Sequence, residues 1–356
     1  MPAAAQGFPD QASLASDRSS ELALFECADC GLVQVPGSPV PYFREVIRAT
    51  AFSPAMRQFR QGQLADWVAR HQLKGKSLLE IGCGRGEYLE LLRDAGLQVH
   101  GTEYAPASIA ACRAAGLAVT RAFIQRPGQR LSAGPFDAFA SFNFMEHWPA
   151  PVASLRGIRA NLAEGGLGLI EVPNFSMILE KGLYSEFIAD HLSYFTHDTF
   201  THTLQTAGFE VLECDSIWQD YILSATVRKR PPTDLSLIHA RRDEVKHAFE
   251  AFLDRLPPGR VAVWGAGHQA LAAIALAGIA GRIRYVVDSA PFKQGKFTPA
   301  THLPIVSPDH LKQDPVDAII VMAAAYSDEV AGIIREKHGP ELELAILRDT
   351  GLEICR

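Results

Sequence analysis

Residues 78–87 read LLEIGCGRGE, and the next apolar run, LQVHGTEY at 97–104, ends on an acid, Glu103. Leu78, Leu79 and Ile81 have the continuous apolar character of a buried strand. Gly82, Gly84 and Gly86 follow at alternate positions, and GEYLELLRDAG at 86–96 then has helical spacing up to a terminal glycine. A strand, a tight glycine loop, a helix and a second strand closing on a carboxylate is how a doubly wound α/β domain holds a nucleoside. The loop lacks the spacing and the Lys of a phosphate-binding P-loop. Its glycines serve close approach of backbone to ligand.

The same alternation continues outward. PASIAACRAAG at 106–116 reads as a helix stopped by Gly116, FDAFASFN as a strand ending at Asn143, and GLGLIEVPN as a strand carrying Glu171. This predicts a mostly parallel sheet with helices on both faces, and ligands at the carboxyl ends of its strands. Gly82, Gly84, Gly86, Glu103, Asn143 and Glu171 all fall at or near such ends. Upstream, residues 1–45 form an arm and a short cysteine-containing segment. Downstream, KRPPTDLS at 229–236 is a polar linker in which two prolines block helix continuation. Three parts result: 1–45, 46–230 and 237–356. The last opens with VAVWGAGHQALAAIALAG and IRYVVDSAP, again strand, glycine turn, helix and a strand ending in an acid, Asp288. Gly265-x-Gly267-x-x-Ala270 there is compatible with a dinucleotide site, a structural turn, or a surface holding part of a substrate.

Bulk properties fit a soluble enzyme of about two domains. The chain has 356 residues, 47% of them apolar and 21% charged. A net charge of −6 argues against a nucleic-acid partner. No apolar run has the length of a membrane span, and the polar, acidic start does not read as a signal peptide. Six scattered cysteines make no disulfide framework, so a cytoplasmic setting is expected.

Glu80-x-Gly82-x-Gly84-x-Gly86 with Glu103 resembles the S-adenosylmethionine (SAM) loop of class I methyltransferases. That resemblance implies SAM as cofactor. Glu103 then accepts from the ribose hydroxyls, Tyr104 stacks on the adenine or packs beside it, and Glu80 reaches the amino end or orders the loop. Asn143, at the end of its strand, is counted with the cofactor-binding residues. Glu146-His147, in FNFMEHW, either takes part in the reaction or braces the pocket.

The three parts together resemble the sugar C-methyltransferases of deoxysugar biosynthesis. These have a zinc-binding N-terminal piece, a SAM domain and a Rossmann-like C-terminal domain. CADCGLVQ looks like the second zinc knuckle, LIEVPN the fifth strand, DHLSYFTHDTFTHTLQTAGFEV the His-containing region, and YVVDSAPFKQGKFTPATHLPIVSP a stretch of the C-terminal domain. Departures are clear. One cysteine pair, Cys27 and Cys30, is present, so no metal is expected. Ala189-Asp190-His191 stands where the family often has His-Glu-His, and Ile222-Leu223 where it has Gly-Gly.

The resemblance implies a small-molecule acceptor, a nucleotide-linked keto-deoxysugar or related carbohydrate. Its carbon must become a nucleophile before it can attack the SAM methyl. His191 is the candidate base, with Asp190, Tyr194 or Glu171 orienting it or stabilising the enolate. O- or N-methylation of another carbohydrate or secondary metabolite is the alternative enzyme reading. A non-catalytic SAM-binding scaffold is the alternative of another class.

Overall fold

The computed structural model describes residues 2, 6, 8–45 and 53–355. The chain divides into two compact units, Met1–Pro232 and Thr233–Arg356, and no helix among the described residues is long and apolar enough to cross a membrane.

In the first unit, β1 (Phe25–Glu26) and β2 (Val33–Gln34) make a small hairpin. Next come α1 (Pro54–Arg70), β3 (Ser77–Ile81), α2 (Glu87–Asp94), β4 (Gln98–Glu103), α3 (Pro106–Ala114), β5 (Ala118–Arg121) and β6 (Phe136–Phe142). The unit closes with α4 (Pro151–Ala160), β7 (Leu162–Pro173), α5 (Phe175–Glu180), β8 (Ser193–Tyr194), α6 (His197–Thr206), β9 (Phe209–Ile217) and β10 (Ile222–Lys229). The main sheet runs β5-β4-β3-β6-β7-β10-β9. Its first five strands are parallel, while β10 is antiparallel to both β7 and β9. Strand order reverses between β3 and β6, so the chain leaves their carboxyl ends in opposite directions and opens a crevice there.

Local chemistry explains the elements around that crevice. The Ser53 hydroxyl accepts from the Met56 N–H at 3.1 Å, and Pro54 occupies the first turn, starting α1. Thr196 and Thr199 form a reciprocal capping box on α6. Leu78 and Leu79 point to opposite faces of β3 and join two separate cores: Leu79 packs with Phe139 and Ile170, Leu78 with Trp67 and Leu92.

The cysteine hairpin does not stand apart from the sheet domain. Val33 pairs with Tyr194, making a three-stranded sheet of β1, β2 and β8, and Cys27 and Cys30 pack against the large core.

The second unit contains α7 (Ser236–Leu253), β11 (Val261–Trp264), α8 (His268–Ala277), β12 (Ile283–Val287), β13 (Ile305–Val306), α9 (His310–Gln313), β14 (Ala318–Val321), α10 (Ser327–His338), β15 (Glu343–Arg348) and β16 (Gly351–Cys355). Its sheet runs β13-β12-β11-β14-β15-β16, parallel except for β16. Both units are thus α/β with Rossmann-like order.

Candidate active site

The glycine loop leaves β3 through three left-handed residues, Gly82, Gly84 and Gly86, at φ of 70°, 57° and 96°. Gly82 is further constrained by space. A Cβ there would sit 2.4 Å from the Phe144 ring, so any side chain is excluded twice over. The loop is tied to the end of β4 by Glu103. One carboxylate oxygen accepts from the Gly84 N–H at 2.8 Å. The other accepts from Tyr104 and Ala105 at 2.8 and 2.9 Å. Burial pushes the Glu103 carboxyl above its ordinary value, against these three donors. The oxygen that takes only the Gly84 N–H keeps a free acceptor site, and Glu103 lines two adjacent recesses.

The larger recess, about 540 Å³, opens over the carboxyl ends of β3, β4 and β6. Gly82, Gly84, Glu103 and Asn143 line one end, and Glu146, His147, Asp190 and His191 line the other. Asn143 takes a left-handed turn, φ 47°, directly after β6.

His191 is held by a web of backbone contacts. His147 Nδ1 bonds to the Asp190 carbonyl at 2.8 Å. This fixes the Nδ1–H tautomer, because the carbonyl can only accept. Leu192 donates to the Glu146 carbonyl at 2.8 Å. The His147 and His191 rings meet edge to face, 4.8 Å between centroids. Burial, and secondarily His147, pushes His191 down to about 3; burial also lowers His147. Both imidazoles are therefore neutral at physiological pH.

Three of the expected site residues lie outside both recess walls, though one of them, Tyr194, sets its ring against His191, 6.1 Å between centroids. Glu171 is fully buried and absent from the wall of either recess. Its carboxylate meets Arg60 Nη1 at 2.6 Å and accepts from Gln63 at 2.6 Å and Ser224 at 2.9 Å. It joins α1 to β7 and β10. Tyr194 is buried too. Its hydroxyl accepts from the Ile188 N–H at 3.0 Å and donates to the Ile188 carbonyl at 3.2 Å, and burial pushes it up to about 12. It anchors the loop that carries His191. Glu80 is fully buried behind the glycine loop, outside both walls. Tyr104 lines the smaller recess.

Sequence reasoning missed Arg60, Glu186 and Tyr221. All three line the larger recess, and the Tyr221 hydroxyl donates to Glu186 at 2.6 Å. Arg60 sits in a polar helix whose sequence carries no sign that its guanidinium is 1% exposed.

A zinc ion at the hairpin is not supported by the residues present. Cys27 and Cys30 are free, and among the described residues no third His, Cys, Asp or Glu is gathered with them. Structural zinc takes four ligands. Glu146, His147 and His191 do have their ligand atoms within 4.8 Å of one another. That donor set suits a transition metal as well as proton transfer.

In the second unit the analogous acid is engaged. Asp288 accepts from the Ala266 N–H at 2.8 Å and from Lys293 Nζ at 2.9 Å, and Lys293 also bonds the Ala266 carbonyl at 3.1 Å. Burial raises Asp288, but Lys293 and the N–H donors outweigh it and hold it below the usual carboxylate value. The carboxylate that a dinucleotide's ribose would need is occupied by the protein's own Lys.

A mostly parallel α/β sheet and a three-glycine loop tied to a strand-end carboxylate, beside a large recess, are the arrangement of a SAM-dependent methyltransferase. Residues 56–214 match a family described as "Methyltransferase domain", and 236–340 match the "C-methyltransferase C-terminal domain". The chain is thus a SAM-dependent methyltransferase that carries the C-terminal domain of C-methyltransferases.

It is 24% identical to the C-methyltransferase NovU of Streptomyces niveus over 72% of this chain and 68% of that protein. It is 28% identical to a ubiquinone biosynthesis O-methyltransferase of Aromatoleum aromaticum over 37% of this chain, spanning 60% of that protein's length. A SAM-dependent methyltransferase structure from Clostridium acetobutylicum is similar over 49% of this chain and 92% of that one, at 11% identity and a TM-score of 0.42.

Proposed function

We propose that the enzyme moves the SAM methyl to a carbon of a keto-deoxysugar carried on a nucleotide, or of a related carbohydrate. The observation that carries this is a neutral imidazole, His191, on the wall of the recess that begins at the SAM loop. The C-methyltransferase C-terminal domain and the likeness to NovU support the same reading.

In this mechanism the acceptor's carbonyl acidifies the adjacent C–H. His191 takes that proton, and the electron pair moves into the carbonyl as an enolate. Carbon then attacks the sulfonium methyl, the S–CH3 bond breaks, and S-adenosylhomocysteine leaves. A half-buried imidazole of depressed basicity is a weak base alone. The enolate formed beside the new imidazolium supplies the missing counter-charge, and the acids Glu146, Glu186 and Asp190 stand on the same wall. His147, through Asp190, and Tyr194, through Ile188, hold His191 in place.

The second reading is O- or N-methylation. It is favoured by Ile222 on the recess wall where the resembling family has glycine, and by the likeness to an O-methyltransferase. Transfer from methyl-13C SAM to nucleotide-linked keto sugars, followed by product NMR, separates the two. A methyl carbon bonded to carbon supports our reading; a methoxy or N-methyl signal replaces it with the second.

A further inference from the structure

The smaller recess lies beside Glu103, floored by Ile81, Phe123 and Ile124 and walled by Tyr104 and Phe144. A flat apolar recess next to the ribose acid is where a nucleoside's base must lie, because the glycosidic bond keeps base and sugar adjacent. Its open volume is only about 10 Å³, room for about one water. Arg44, from the segment before α1, is on its wall. Its Cζ lies 4.4 Å from the Phe43 ring centre, 5.7 Å from Phe123 and 5.8 Å from Tyr104. Nη2 makes one long bond, 3.3 Å, to the Gln125 side chain. The strand ends and buried aromatics around the recess are fixed by the core. Arg44 is the long, half-buried side chain among them.

We propose that Arg44 is the adenine clamp of the cofactor site. When the purine enters, the guanidinium leaves the aromatic shelf of Phe123 and Tyr104 and closes over the purine's open face. Arg suits this because its guanidinium is planar, weakly hydrated and stacks on π surfaces, as a Lys ammonium does not. The clamp acts on SAM alone, so it holds whichever acceptor atom is methylated.

Calorimetric titration of the full chain with S-adenosylhomocysteine and, separately, with adenosine tests it. Arg44→Met keeps the apolar reach and removes the charge and plane. It should weaken both titrants by the same factor, about 5–30, and Arg44→Lys should recover only part of the loss. Unchanged affinity in Arg44→Met makes Arg44 a bystander and overturns the proposal. So does tighter binding, which would make Arg44 a plug, and so does a loss for S-adenosylhomocysteine without one for adenosine. Failure of the wild-type chain to bind S-adenosylhomocysteine would instead defeat the cofactor site itself, and the clamp with it.

Discussion

His147 and His191 meet edge to face, 4.8 Å between ring centres, and His147 is locked by its Nδ1 bond to the carbonyl of the residue just before His191. One histidine thus sets the position of the other, and neither carries charge at neutral pH. A pH consequence follows. The unfolded chain protonates His191 near its ordinary value of 6.5, whereas the native chain does so only at about 3. Below about 6.5 the unfolded state therefore binds the extra proton, and stability falls as pH drops through that window. His191 alone contributes a slope of about 1.4 kcal/mol per pH unit. Urea unfolding at stepped pH should show this slope in the wild type and its reduction in His191→Asn.

Glu103, proposed as the ribose acceptor, also ties the glycine loop to β4, and Glu103→Ala removes both. Charge-assisted hydrogen bonds are worth roughly 1.5–3 kcal/mol, so SAM affinity should fall at least about tenfold. Calorimetry on a folded variant checks it, and unchanged affinity contradicts the assignment.

The Arg60–Glu171 pair is buried, so each charge depends on the other. Glu171→Gln leaves a guanidinium that is 1% exposed without its counter-charge, and breaking such a pair costs about 3–5 kcal/mol. Denaturant midpoints should fall accordingly, and the double variant Arg60→Met/Glu171→Gln should be more stable than Glu171→Gln alone. If Glu171 instead served the chemistry, turnover would collapse with little loss of stability.

Chelators should leave turnover unchanged, and added Zn²⁺ should inhibit, because Glu146, His147 and His191 can ligate it and a ligated imidazole cannot take a proton. Activity assays with EDTA and with micromolar zinc read this directly. A requirement for metal would assign His191 a different role.

The glycine loop and its strand-end acid were legible because their constraints are local. Alternate glycines with positive φ and a strand-end acid are fixed by backbone geometry over residues 82–103, and periodicity marks the strands around them. The acceptor half was read less well because its geometry is tertiary. Glu171 looks like a site residue along the chain, yet Arg60, from a helix more than a hundred residues earlier, takes it up. Tyr194 bonds Ile188 through its hydroxyl while its ring packs against His191, a placement that sequence spacing alone does not give. Glu80 shared the same weakness, since alternation along β3 does not say how deep its side chain lies. The hairpin's attachment through β8 was invisible because it rests on pairs between residues 33–34 and 193–194.

The central claim is that His191 removes a proton from carbon. Its most direct test is deuterium exchange from D2O into a nucleotide-linked keto sugar, with S-adenosylhomocysteine bound so that no methyl can transfer. The wild-type enzyme should exchange the proton next to the carbonyl. His191→Asn should bind S-adenosylhomocysteine normally and exchange it about 10²–10⁴ times more slowly. Exchange in His191→Asn at more than about a tenth of the wild-type rate, or none by a wild-type enzyme that still methylates the sugar, would contradict the account.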